Sequence, residues 1–125
     1  MANEAEGHRL LFSRIRALRP KQRTLLAIAA HELRYRAAKR GVSRNLIVEL
    51  GRVLSTFTVL PFDRAAALAA VKVRVELERV GKPIGIMDTL QAGHALALGA
   101  VMVTDDTAHF GRVPGLAIEN WRRTA

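Results

Sequence analysis

The feature that most constrains the fold of this chain is its alternation of short apolar runs with longer segments of helical periodicity. The apolar runs have the length and composition of buried strands, and they occupy residues 24–29, 58–60, 100–104 and 116–118. Neighbouring parallel strands need crossover connections, which are usually helices. The alternation of apolar runs with helical segments therefore predicts an α/β fold. We expect a three-layer sandwich in which a short parallel sheet carries helices on both faces.

Helices are predicted where apolar residues recur every three or four positions between capping residues. The predicted segments are 9–19, 30–40, 44–56, 64–80 and 88–98, with Ser43 and Asp63 as N-caps of the third and fourth. The fourth segment could be a helix or a strand, because apolar and charged side chains alternate over residues 71–78 as they do in a strand. Three features favour the helix: a preceding alanine run, opposite charges four residues apart, and apolar residues at helical spacing, namely Ala66, Ala70, Val73, Leu77 and Val80.

Length and composition limit the class of protein. The chain has 125 residues, half of them apolar, so a single domain over residues 1–125 is expected. It has no cysteine, which excludes disulfides and thiolate zinc sites and is typical of a reducing, cytoplasmic location. No apolar run approaches the roughly 20 residues that span a bilayer, so we expect no membrane association.

The positive charge is concentrated in the first third of the chain. Residues 1–44 hold 11 basic and three acidic side chains, a net +8, whereas the remainder holds nine and eight, a net +1. Such a segment is typical of a surface that binds a polyanion such as RNA, because Lys and Arg release counterions from phosphates. A solvated face that keeps the protein soluble explains the charge equally well.

Several acidic residues follow or lead into the predicted strands. Glu32 comes shortly after the first run, Asp105 and Asp106 directly follow another, and Asp88 opens the helix leading to it. Ligands of open α/β sheets collect beyond the carboxyl ends of the strands, and carboxylates there can bind Mg²⁺ or Mn²⁺. The structural alternative is a helix-dipole role for Glu32 and Asp88 in first helical turns and a polar turn at 105–106. The histidines lack the spacing of a helical zinc site, so no chemistry is assigned to them.

A set of segments in fixed order resembles the PIN-domain ribonucleases, in particular the VapC toxins of type II toxin–antitoxin systems. These segments are Glu-Leu-Arg-Tyr at 32–35, Pro-Ile-Gly at 83–85 with Met-Asp-Thr-Leu at 87–90, His-Ala-Leu-Ala-Leu-Gly-Ala at 94–100, Val-Thr-Asp-Asp at 103–106, Arg-Val-Pro-Gly-Leu at 112–116 and Glu-Asn-Trp at 119–121. The resemblance runs from about Arg14 to Trp121.

The resemblance implies a Mg²⁺- or Mn²⁺-dependent endoribonuclease that forms a homodimer and is held inactive by a cognate antitoxin. By position, Glu32, Asp88 and Asp106 correspond to catalytic, metal-binding acids of the family, and Asp105 is an alternative to Asp106. Arg34 and Arg36 would lie near the RNA phosphates.

The chain departs from the family pattern at its beginning. VapC chains open with a central strand that carries a metal-binding Asp in a Leu-Asp-Thr-Asn motif, and nothing in residues 1–23 matches it. We therefore expect an N-terminally truncated PIN domain in which residues 9–12 are a poor substitute strand. The alternative function is a non-catalytic remnant that binds an antitoxin or a partner toxin subunit. Arg36 replaces a common Gly and is expected to pair with phosphate or with Glu32.

Overall fold

The described chain alternates helices with short strands, as expected of an α/β protein. The computed structural model describes Leu10, residues 13–41 and residues 43–121. Helix α1 comprises residues 13–17, and the later elements are β1 (Thr24–Leu26), α2 (Ala27–Lys39), α3 (Arg44–Leu54), β2 (Thr58–Leu60), α4 (Arg64–Arg79), α5 (Ile86–Leu98), β3 (Met102–Val103), α6 (Thr107–Phe110) and β4 (Ile118–Glu119). The chain forms two compact units, one of residues 18–62 and one that combines the described residues up to 17 with those from 63 onward.

The first unit, residues 18–62, is built on a parallel pair of strands. β1 and β2 run side by side with Thr24 opposite Thr58 and Leu26 opposite Leu60. The strand predicted over residues 24–29 is too long, because Ala27–Lys39 is already helical. Alanine is the strongest helix former, so the two alanines at 27 and 29 favour the helix once the pairing with β2 ends. Ser43 caps α3 as predicted, and its hydroxyl accepts the Leu46 N–H at 3.3 Å.

The second unit is centred on the packing of α4 against α5. A stripe of small and branched side chains on α4 is buried, namely Ala66, Ala70, Val73 and Leu77. This burial confirms the helical interpretation of residues 64–80, and the Asp63 carboxylate caps the helix by accepting the Ala66 N–H at 2.9 Å. On α5, a Cβ at Gly93 would overlap the backbone of Ala70, so the two helices approach more closely than any side chain there would allow.

The second unit also contains the other parallel pair of strands. β3 pairs with β4, with Met102 opposite Ile118, and both strands are shorter than predicted. α5 ends at Gly99, whose φ of 62° is the left-handed conformation favoured by glycine. Arg14 of α1 reaches this pair and donates to the Asn120 carbonyl oxygen at 3.0 Å.

The beginning of the chain is described only in part. Residues 13–17 are helical and Pro20 follows, which confirms that part of the helix predicted over 9–19. Leu10 is helical, so the expectation of a substitute strand over residues 9–12 is wrong at that position. Residues 9, 11 and 12 lie outside the described residues, and the missing central strand remains a prediction. In the described part of the chain, no helix has the length and apolar character needed to cross a membrane.

Candidate metal centre

Asp88 is positioned by the start of α5. Gly85 is the N-cap of this helix, and the Thr89 hydroxyl donates to the Gly85 carbonyl oxygen at 3.0 Å, which fixes the first turn. Asp88 is the third residue of the helix, where the partial positive charge of the N-terminus stabilises a carboxylate. The preceding loop is tied to the residues after α6, because Arg112 donates to the Pro83 carbonyl oxygen at 3.2 Å.

Asp106 is positioned by a tight turn that follows β3. The Thr104 hydroxyl accepts the Asp106 N–H at 3.0 Å, a side-chain turn of the kind that Ser and Thr form. Asp106 then caps the short helix α6, and its Oδ1 accepts the His109 N–H at 3.2 Å. Its other oxygen, Oδ2, lies 2.9 Å from Nδ1 of the His109 ring.

These two aspartates and His109 form one cluster in the second unit. Each offers a ligand atom, and the three atoms lie within 4.8 Å of one another. Nδ1 of His109 is 4.0 Å from Oδ2 of Asp88, and the three side chains are between 25% and 47% exposed. Two carboxylates and an imidazole are suitable donors for a divalent ion, and the exposure leaves room for water and phosphate oxygens. The donor chemistry of the cluster therefore fits a divalent metal.

Asp105 and Asp106 are neighbours in sequence but differ in placement. Asp106 belongs to the cluster, whereas Asp105 is an exposed residue that is not a member of it. Asp106 also serves as a helix cap, a structural role that the sequence did not indicate because α6 was not predicted.

Glu32 lies in the first unit, on α2. The helix begins at Ala27, so Glu32 is its sixth residue and the expectation that it lies in the first turn is wrong. Its carboxylate, 19% exposed, is 3.8 Å from Nη2 of Arg36, which confirms the expected pairing of these two residues. Arg34 is exposed on the same helix. The metal-binding role of Glu32 and the RNA-binding role of the two arginines remain predictions.

His109 is the member of the cluster that sequence reasoning missed. Histidines of a helical zinc site are four residues apart, whereas His109 lies three residues after an aspartate that caps a four-residue helix. An Asp-X-X-His spacing directly after a strand was the available signal. The other two described histidines lie elsewhere: His31 stacks on Tyr35 with ring centroids 6.2 Å apart, and His94 is buried on α5.

The environment of His94 disfavours its charged form. Only 2% of the residue is exposed, and burial lowers the pKa of its imidazole, an effect that the Asp63 carboxylate partly opposes. His94 is therefore neutral at pH 7 and belongs to the core between α4 and α5.

Comparison with known proteins identifies the family. The PIN domain model matches residues 3–116. The chain is 43% identical over 96 residues to the tRNA(fMet)-specific endonuclease VapC of Shigella flexneri, which covers 76% of this chain and 72% of that protein. It is 34% identical over 95 residues to Ribonuclease VapC2 of Rickettsia felis, covering 76% of this chain and 71% of the relative.

Solved structures support the same relationship. The structure of DNA-bound VapBC from Salmonella typhimurium matches with a TM-score of 0.74 and 36% identity, covering 95% of this chain and 87% of that chain. The α/β class expected from the alternation of strands and helices is confirmed. The chain belongs to the PIN-domain family and is a relative of the VapC ribonucleases.

Proposed function

We propose that this protein is a metal-dependent endoribonuclease, the toxin of a type II toxin–antitoxin pair. The observation that supports this most is the meeting of Asp88 and Asp106, which are 18 residues apart in sequence, in one cluster. The family resemblance independently implies metal-binding roles for the same two residues. The family match over residues 3–116 supports the further proposal that the chain acts as one PIN domain.

The PIN family implies a divalent metal ion, and the donors of the cluster are compatible with one. The carboxylates of Asp88 and Asp106 would hold the ion, which we propose to be Mg²⁺ or Mn²⁺. When bound, such an ion activates water and stabilises the leaving oxygen of a phosphodiester. Asp88 is held by the first turn of α5, and Asp106 by the turn after β3, so the protein fixes both ligands before substrate arrives. Glu32 is proposed as a catalytic, metal-binding acid on sequence resemblance alone.

The proposed substrate is RNA, with Arg34 and Arg36 contacting its phosphates. The net +8 of residues 1–44 supports this, since Arg and Lys provide the sequence-independent part of nucleic-acid affinity. One relative is named as specific for tRNA(fMet), so initiator tRNA is the first substrate to test. Because the solved neighbours include VapBC complexes, we also propose a cognate antitoxin and a homodimer. The cytoplasm, where this substrate occurs, is the proposed location.

The test is cleavage of end-labelled initiator tRNA by the purified protein in Mn²⁺, in Mg²⁺ and in excess EDTA. Cleavage at discrete positions that requires either metal and stops in EDTA is the expected result. Undiminished cleavage in EDTA would contradict the proposal. A chain that forms a stable complex with an antitoxin but cuts no RNA in either metal would instead support the non-catalytic alternative.

A further inference from the structure

His109 is placed to do more than donate its N–H to the Asp106 cap of α6. Its Nδ1 faces both carboxylates of the cluster, at 2.9 Å from Oδ2 of Asp106 and 4.0 Å from Oδ2 of Asp88. A hydrogen bond from Nδ1–H to Asp106 accounts for the shorter distance but gives no reason for the approach to the second aspartate. The ring is 47% exposed, so burial against the core does not explain its orientation either.

The separations of these atoms are those found between ligands of one ion. With metal–ligand distances of about 2.1 Å, adjacent ligands of an octahedral ion lie about 3.0 Å apart and opposite ligands about 4.2 Å apart. The two distances from Nδ1 fall close to these values. The three residues also each offer a ligand atom within 4.8 Å of the others, which places the two carboxylates on the same small site.

We infer that the His109 imidazole is a nitrogen ligand of this centre and gives it a preference for a first-row transition ion over Mg²⁺. Mg²⁺ binds oxygen almost exclusively, whereas imidazole is a good ligand for Co²⁺, Ni²⁺ and Zn²⁺. A centre of carboxylates alone has no nitrogen donor and therefore discriminates less between these ions and Mg²⁺. The inference rests on the proposed metal centre and specifies the class of ion that it takes.

The test compares Co²⁺ and Mg²⁺ affinities by calorimetry in the full chain and in two variants, His109→Gln and His109→Glu. Both variants remove the nitrogen donor, and the second restores a carboxylate. The ratio of Co²⁺ to Mg²⁺ affinity is expected to fall by about tenfold or more in each. Ala108→Gln, an exposed change on the same helix, is the matched control and is expected to leave the ratio unchanged.

A spectroscopic measurement identifies the ligand directly. Electron spin-echo spectra of the Mn²⁺-loaded protein should show modulation from a coordinated ¹⁴N nucleus, and the signal should disappear in His109→Gln. An unchanged affinity ratio, or a ¹⁴N signal that is absent from the wild type or survives in His109→Gln, overturns the inference.

The Asp88→Asn variant separates this inference from the proposed function. If Asp88→Asn abolishes binding of both ions while His109→Gln changes neither affinity, the metal centre stands and only the role of His109 is wrong. If the wild-type chain binds neither ion, the proposed function fails together with the inference.

Discussion

At the scale of single residues, the consecutive acids Asp105 and Asp106 are the most informative pair. Of these two, Asp106 is the one that joins the cluster with Asp88. We therefore expect Asp106→Ala to lower the rate of RNA cleavage by about 10²-fold or more, because it removes a proposed metal ligand. Asp105→Ala should retain a rate within about threefold of wild type. Single-turnover cleavage of initiator tRNA measures both.

The Asp106→Ala variant also removes a helix cap, so its stability must be followed. Loss of the hydrogen bond to the His109 N–H is expected to cost about 1 kcal/mol, which a folded chain can absorb. Thermal unfolding of both variants controls for this effect. Equal losses of activity in the two variants, each fully folded, would contradict the assignment of Asp106 as the ligand.

His94 predicts a pH dependence of stability. Burial lowers its pKa below the ordinary value of 6.5, so the unfolded chain takes up a proton at a higher pH than the folded chain does. The stabilisation is complete above about pH 6.5 and is lost as the pH falls through the window between the unfolded and folded pKa values. Urea unfolding at about pH 7.5 and pH 5 should therefore show a lower free energy of unfolding at the lower pH.

The matched variant for this measurement is His94→Gln, which cannot titrate. It is expected to be less stable than wild type at pH 7.5, because the buried site is disturbed, but to lose less of its remaining stability on acidification. If the free energy of unfolding of the wild type stays constant or increases when the pH is lowered from 7.5 to 5, His94 is not held neutral by the fold.

Residue-scale prediction from the sequence succeeds where a role depends on local chemistry. Ser43 and Asp63 are N-caps as expected, because capping requires only a side-chain oxygen beside the first turn. His109 was missed because its position depends on a turn and a four-residue helix. The spacing of histidines alone carried no information about that turn.

At the scale of elements, the contact between α4 and α5 supports the second unit. Gly93→Ala places a methyl group on the Ala70 backbone, so the helices must separate. We expect a net loss of about 1–3 kcal/mol in the free energy of unfolding, despite the gain of about 1 kcal/mol in helix propensity. Urea denaturation measures the change.

Gly51→Ala is the matched control, since Gly51 also lies inside a helix but a Cβ there meets nothing within 4 Å. It should gain up to about 1 kcal/mol from helix propensity alone. If both substitutions stabilise the protein, the close approach of α4 and α5 is not a tight contact in solution.

The elements themselves could be predicted in kind but not in length. The helix over residues 64–80 was favoured over a strand by its apolar spacing, and the buried stripe on α4 confirms the reason. β1, β3 and β4 are shorter than the apolar runs suggested, because strand length is set by pairing with a partner that the sequence does not specify. The ends of these strands are therefore set by their pairing with the neighbouring strand.

At the scale of the whole molecule, the uneven charge predicts the salt dependence of RNA binding. If Arg34 and Arg36 each contact a phosphate, the double variant Arg34→Gln/Arg36→Gln should reduce the slope of log affinity against log salt by about 1.4, at about 0.7 per contact with single-stranded RNA. The measurement uses the Asp88→Asn background, so that the RNA stays intact.

The control is the double variant Arg74→Gln/Arg79→Gln on α4. These arginines pair with Glu78 at 3.1 Å and with Glu76 at 2.6 Å, more closely than Arg36 pairs with Glu32 at 3.8 Å, so neither should contribute to the salt slope. A slope that changes equally in both double variants would show that RNA affinity follows net charge rather than the two arginines on α2.

The central claim, that the cluster around Asp88 is the catalytic centre of a metal-dependent ribonuclease, is tested most directly by one comparison of rates. Single-turnover cleavage of initiator tRNA is measured at saturating Mn²⁺ for wild type, Asp88→Asn and Glu78→Gln, the last being an exposed acid outside the cluster. We predict a loss of about 10²-fold or more for Asp88→Asn and a rate within about twofold of wild type for Glu78→Gln. Wild-type cleavage by a folded Asp88→Asn variant would contradict the account.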